Sequence, residues 1–116
     1  MRGGICEVDV EVRCLERPVH SGQKGGPVPD PVQVLCRIIA RLAAEDASSF
    51  RVIGFESQPV RGAANTIRDV ARARIAVRAT GELRRAGERV IRKLTRDPPS
   101  RAQVRAGITR CAPDGP

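Results

Sequence analysis

Apolar and charged positions alternate strictly near the start of the chain, and this period of two predicts a half-buried strand. From Ile5 to Leu15, every second side chain is apolar and the side chains between them are mostly charged. The apolar set is Cys6, Val8, Val10, Val12 and Cys14. The alternation returns over Val70 to Arg78 and over Gln103 to Thr109, which predicts two further strands of the same kind.

A shorter apolar segment, Phe50 to Glu56, predicts a fourth strand. Within it, Gly54 indicates a bulge or a sheet edge, because glycine weakens the interior of a strand. A long connection with turn-forming residues then follows from Ser57 to Asp69.

Two other segments repeat their apolar residues every three or four positions, the spacing of an amphipathic helix. The first begins at Asp30-Pro31, where an Asp can cap free backbone N–H groups and a Pro suits the first helical position. It ends between Asp46 and Ser49. The second begins at Thr80-Gly81-Glu82 and ends at Asp97-Pro98-Pro99, since proline cannot continue a helix.

The element order β-α-β-β-α-β predicts an α+β, ferredoxin-like sandwich with a four-stranded antiparallel sheet and two helices on one face. Each strand has one apolar face, which fits a sheet covered on one side and exposed to water on the other. We expect one domain over residues 1–116, with its core at about 4–110 and a frayed tail at 111–116.

Composition narrows the possible functions. The 116 residues include 21 Lys and Arg against 13 Asp and Glu, for a net charge of +8, which raises affinity for polyanions. A basic ferredoxin-like nucleic-acid-binding module is therefore an alternative. However, the chain has two Phe and no Trp or Tyr, so the aromatic platforms that stack on bases are nearly missing.

No apolar run reaches the ~20 residues of a membrane span, and a signal-peptide apolar region is missing; we expect a cytosolic protein.

Few residues in the sequence are candidates for catalysis or metal binding. The one histidine, His20, lies in a Gly- and Pro-rich segment between the first strand and the first helix, where recognition or catalysis is often placed. The four cysteines, Cys6, Cys14, Cys36 and Cys111, include no C-x-x-C pair and are expected to be small buried thiols. We expect no metal site in this chain, because one histidine and scattered thiols and carboxylates do not form a zinc ligand set.

Two segments carry a resemblance to a known family. The first segment reads R-G-G-I-C-E-V-D-V-E-V-R-C-L-E-R-P-V-H-S-G-Q-K-G-G-P-V-P-D-P-V-Q-V-L, and its H-S-G and G-G motifs carry the resemblance. It resembles the opening of the lid, or dimerisation, domain of the zinc aminoacylase/carboxypeptidase metallopeptidases. G-A-A-N-T-I-R-D-V-A-R-A-R-I-A-V-R, from Gly62 to Arg78, is similar to a second motif of that domain, although Ile67-Arg68 replaces its apolar-Pro turn. That family includes carnosine-type dipeptidases, glutamate carboxypeptidases and succinyl-diaminopimelate desuccinylases, and its lid has the same element order.

The resemblance implies roles for individual residues in an intact enzyme. There, a separate catalytic domain holds two zinc ions, and His20 would reach in trans into the partner subunit's active site to stabilise the oxyanion. Asn65 and Arg78 would bind the substrate, Arg78 through the planar guanidinium that suits a carboxylate. Gly25 and Gly26 would shape the loop backbone near the substrate.

The resemblance also implies a homodimer, formed through the first helix and the edge strand at 50–56. The predicted interface residues are Phe50, Val52, Gly54, Arg37 and Arg41. Alone, the chain is expected to hydrolyse nothing and to represent an isolated lid domain, either free-standing or a fragment. A free-standing enzyme that uses His20 is a further alternative; it lacks a paired nucleophile, since Ser21 is only the neighbour of His20.

Overall fold

Four strands and two helices follow one another in the order expected from the sequence. The structure, a computed structural model, describes residues 3–14, 30–45, 50–58, 70–99 and 102–114. The elements are β1 (Gly3–Arg13), α1 (Pro31–Glu45), β2 (Phe50–Gln58), β3 (Val70–Thr80), α2 (Leu83–Thr95) and β4 (Gln103–Pro113). No helix in these ranges is long and apolar enough to cross a membrane.

The strands form one antiparallel sheet in the order β2-β3-β1-β4. The first strand in sequence is therefore central, with Val8 opposite Ile75 of β3 on one side and Ile108 of β4 on the other. The two edges are β2 and β4. This arrangement confirms the predicted ferredoxin-like α+β sandwich.

The core lies between the helices and one face of the sheet. Every second side chain of β1 points into it, and those of Cys6, Val8, Val10 and Val12 are at most 1% exposed. Helix α2 packs on β4 and β1, whereas α1 packs on β3 and β1. The other face of the sheet carries the charged residues, and no charged side chain among the described residues is buried. The alternation seen in the sequence thus separates a covered face from an open one.

The helix ends are held by specific hydrogen bonds. The Asp30 carboxylate accepts a hydrogen bond of 2.9 Å from the backbone N–H of Val32, which confirms the predicted cap of α1. At the C-terminal end of α2, the Arg41 guanidinium of α1 donates hydrogen bonds to the backbone carbonyls of Lys93, Arg96 and Asp97. A positive group at a helix C-terminus satisfies free carbonyls and complements the helix dipole. Arg41 therefore ties α1 to α2.

Both edge strands contain a register shift. In β2 it lies between Val52 and Gly54, as the glycine indicated. In β4 it lies opposite Glu7 and Val8, where Thr109 is the extra residue. The β4 bulge changes the alternation, and the strand continues to Pro113 instead of ending at Thr109. Residues 111–113 therefore belong to the sheet, which corrects the tail expected over 111–116.

The expectation for the cysteines needs a similar correction. Cys6 is buried, but Cys14 and Cys111 are only half-buried, and Cys36 is exposed on α1. Cys36 follows the buried Leu35 by one position, and one helical residue is a rotation of about 100°. That rotation takes Cys36 off the apolar stripe.

Candidate functional site

Most of the predicted catalytic and substrate-binding residues lie outside the described residues. These are His20, Gly25, Gly26 and Asn65. Arg78 is described, near the C-terminal end of β3 on the open face of the sheet. Its guanidinium makes an exposed ion pair of 3.1 Å with the Asp114 carboxylate that follows β4. A substrate carboxylate at Arg78 would have to replace or share this partner.

Ion pairs run across the open face of the sheet. The central strand contributes most of the acidic residues, and its two neighbours contribute most of the arginines. Arg72 of β3 pairs with Glu11 at 2.9 Å and with Glu56 of β2 at 3.7 Å. Arg74 pairs with Asp9 at 2.7 Å. Much of the positive charge on this face is therefore matched within the sheet.

On the β4 side of this face, Arg110 pairs with Glu7 at 3.2 Å. Glu11 has a second partner besides Arg72, since Arg13 also donates to it at 3.1 Å. Burial by itself raises the pKa of Glu11, but the hydrogen bonds and charges of Arg72 and Arg13 outweigh it, and the pKa is lowered below 4.5. Glu11 is therefore held as a carboxylate, an acceptor rather than a proton donor.

A shallow groove of about 700 Å³ crosses the middle of the open face. Its floor is the Asp9–Arg74 and Glu11–Arg72 pairs, and Gly54 and Gly107 lie along its two sides. A Cβ added at Gly107 would have no neighbour within 4 Å, so this side of the groove is open to solvent. Across the described residues, no three His, Cys, Asp or Glu side chains come together as a metal site.

The edge strand β2 exposes large apolar side chains. Val52 is 38% exposed, Ile53 47% and Phe55 46%. They surround the bulge at Gly54, whereas Phe50, at the start of the strand, packs against the core. The exposure follows from the helical layer, because within the described residues α1 packs on β3 and β1 and does not cover the outer edge of β2.

The two flanks of α1 differ in character. One flank faces α2, as shown by the Arg41 hydrogen bonds and by an ion pair between Glu45 and Arg96. With 3.6 residues per turn, Cys36, Ala40 and Ala43 lie on the flank that faces away from α2. All three are exposed. Because β2 and α2 lie on opposite sides of α1, this flank of small side chains borders the β2 edge.

The comparisons with known proteins fit this geometry. Residues 2–99 match the family model described as the peptidase dimerisation domain, which is most of the chain. The chain belongs to the peptidase dimerisation domain family. This confirms the resemblance to the dimerisation domain of the M20 metallopeptidases. No curated protein sequence matches this dimerisation domain.

Solved structures share the fold of this dimerisation domain. An aminobenzoyl-glutamate utilization protein from Klebsiella pneumoniae superposes with a TM-score of 0.70 at 15% identity, over 97% of this chain and 29% of that one. Human carnosine dipeptidase 1 gives 0.68 at 14% identity, over 96% and 37%. The Bacillus subtilis YXEP protein, described as a dinuclear metal binding peptidase of the M20 family, gives 0.62 at 16%, over 91% and 25%. The dimerisation domain thus spans a quarter to somewhat over a third of these proteins.

Two features of the site were not predicted from the sequence. The exposure of Ile53 and Phe55 was not predicted, although their segment breaks the strict alternation seen in the other strands. The flank of Cys36, Ala40 and Ala43 was hidden because small apolar residues fit a core stripe as well as a surface. Of the predicted interface residues, Val52 and Gly54 lie on the exposed part of β2 and Arg37 is exposed on α1, whereas Arg41 is engaged by α2.

Proposed function

We propose that this dimerisation domain pairs with a second copy of itself through β2 and the neighbouring flank of α1. The observation that carries the proposal is the row of exposed apolar side chains on β2, Val52, Ile53 and Phe55. An edge strand has free N–H and C=O groups that pair with another strand unless charge or proline prevents it. Antiparallel pairing of two β2 strands about a two-fold axis would extend the sheet across both copies.

The α1 part of this interface is best assigned to Cys36, Ala40 and Ala43. Their small side chains would allow the helix of the second copy to approach closely, and they border β2. Arg37 stays a prediction for this interface. Arg41 also stays a predicted interface residue, but its hydrogen bonds to the C-terminal end of α2 give it a structural role within the domain.

In the intact enzyme, we propose that the dimer brings His20 into the partner's active site, where it stabilises the oxyanion of amide hydrolysis. Asn65 and Arg78 would hold the substrate, with Gly25 and Gly26 shaping the loop. Two metal ions, zinc in this proposal, would lie in a separate catalytic domain; the description of YXEP as a dinuclear metal binding peptidase supports the number of metal ions. The reaction class would be that of a cytosolic dipeptidase, carboxypeptidase or deacylase.

Solution mass over a concentration series tests the self-association. We expect the 116-residue chain to approach the mass of a dimer as concentration rises, and Val52→Lys to hold it at the monomer mass, because a lysine ammonium would be brought into the paired edge. Thr109→Lys is the matched control, since Thr109 is exposed on the other edge strand. A wild-type monomer at every concentration, or equal effects of the two substitutions, would contradict the proposal.

Mixed dimers of an enzyme carrying this domain test the role of His20. One protomer carries His20→Ala, and the other keeps His20 but lacks a metal ligand of its catalytic domain. Neither homodimer should be active, whereas the mixed dimer should regain activity at one of its two sites. If His20 acts within its own subunit, the mixed dimer stays as inactive as its parents.

A further inference from the structure

Two cysteines far apart in the sequence lie side by side in the sheet. Cys6 of β1 and Cys111 of β4 are direct partners in the antiparallel register, and their sulfur atoms are 2.7 Å apart. Directly opposite residues in such a pair have Cα atoms about 4.5–5.5 Å apart. Disulfides are found at Cα separations of about 4.4–6.8 Å. The backbone at this position therefore already has the spacing that a disulfide needs.

The β4 bulge creates this pairing. Val8 faces Ile108, and with an unbroken register Cys6 would face Arg110. The extra residue, Thr109, moves the register by one, so that Arg110 faces Glu7 and Cys111 faces Cys6. The same shift turns Cys111 toward the covered face, on which Cys6 also lies.

The two thiols differ in how accessible they are to solvent. Cys6 is fully buried, and a Cβ added at Gly87 of α2 would come within 2.6 Å of its sulfur. Cys111, on the edge strand, is half-buried and is the thiol that a small molecule can reach. Burial, with further contributions from Cys111, raises the pKa of Cys6 to about 12, so Cys6 is a poor first nucleophile.

We propose that Cys6 and Cys111 are a redox-sensitive cross-link site that closes into a disulfide and fastens β4 to β1. The oxidant is a low-molecular-weight disulfide, RSSR. The Cys111 thiolate attacks one sulfur of RSSR, which forms a mixed disulfide and releases one RS⁻. Cys6 then loses its proton and attacks the Cys111 sulfur, which forms the protein disulfide and releases the second RS⁻. Each thiolate takes up a proton, so two protein thiols and RSSR become one disulfide and two RSH.

The cross-link would join strands near the two ends of the chain. Because the closed loop holds about 100 residues, its effect on the unfolded chain is near the upper end of the usual range. For a domain of this size we expect the melting temperature to rise on the order of 10 °C. The cross-link lies at the edge opposite β2, so it should leave the self-association proposed above unchanged.

The test uses the full chain with Cys14→Ser and Cys36→Ser, which removes the other two thiols. The probe is oxidised glutathione, followed by peptide mapping by mass spectrometry and thermal melting. We expect a peptide pair joined through Cys6 and Cys111, a mass lower by two hydrogen atoms, and a higher melting temperature. Reduction by dithiothreitol should reverse all three.

Cys111→Ser in the same background is the matched control and should show none of these changes. Because peptide mapping of the parent protein does not depend on that variant, the proposal stays testable if the variant folds poorly. Two free thiols after treatment would overturn the proposal. So would a stable glutathione adduct at Cys111 without closure, since the register would then not bring Cys6 to it.

Discussion

The two edges of the sheet are built differently. On β2 three large apolar side chains around the bulge, Val52, Ile53 and Phe55, are exposed beside the charged Arg51 and Glu56. On β4 the exposed side chains around the bulge are polar or charged, with Arg105, Thr109 and Arg110 at the surface. Exposed charge is a common means of keeping an edge strand from pairing. This contrast between the two edges supports the proposal that a second copy pairs with β2 and not with β4.

The helical layer reinforces this difference. Helix α2 covers β4 and β1, and the absence of a side chain at Gly87 allows it to lie close to both, near Cys6 and Ile108. Helix α1 covers β3 and β1 and leaves β2 open at its outer side. The β4 edge is therefore part of a tightly packed layer, whereas the β2 edge lacks a cover within the described chain.

The largest expected effect on stability comes from adding a side chain at a glycine near each edge, first at Gly87 of α2 and then at Gly54 of β2. In Gly87→Val, the new Cβ would meet the Cys6 sulfur at 2.6 Å and the Ile108 side chain at 2.9 Å. We expect overpacking to lower the free energy of unfolding by about 2–3 kcal/mol. Urea or thermal unfolding measures it, provided that thiols are kept reduced.

Gly54→Val on β2 is the matched control. Its new Cβ would meet only the Arg74 Cβ, at 3.6 Å, an ordinary contact, and valine suits a strand. We expect little change in the free energy of unfolding. Equal losses at Gly87 and Gly54 would remove the contrast in packing on which the comparison of the two edges rests.

The sequence predicted most of the fold because the relevant signals are local. Alternation at Val8 and Val10 is enough to place β1 with one face buried, and Asp30-Pro31 is enough to begin α1. Gly54 also indicated its bulge. At Thr109, however, the bulge depends on how β4 meets β1, and no local pattern records that.

The site was harder to predict for the same reason. Whether Arg41 faces a second copy or α2 depends on where α2 ends, at Thr95, in a different part of the chain. The Cys6–Cys111 pair depends on a register between strands separated by most of the sequence. The exposure of Phe55 depends on the width of the helical layer. The resemblance supplied the family, while these long-range contacts required the structure.

The smallest expected effect is on the pKa of Glu11, and it distinguishes the two arginines that lie opposite Glu11 on the neighbouring strands. Its register partners are Arg72 on β3 and Arg105 on β4, but only Arg72, at 2.9 Å, is paired with it in the described structure. The pKa of Glu11 is lowered, so the ionised carboxylate stabilises the folded state above its ordinary pKa of about 4.5. This contribution is lost as the pH falls through the lowered value.

Arg72→Ala should therefore raise the pKa of Glu11 and reduce the pH dependence of unfolding in the acid range. Arg105→Ala should change neither, because distance and not register decides the interaction. Carboxyl NMR titration of Glu11 measures the pKa directly, and unfolding below pH 4.5 measures the linked stability. Equal pKa changes in the two variants would mean that Glu11 is neutralised from both neighbouring strands, and the difference between the β2 and β4 halves of the sheet would then not extend to this position of the open face.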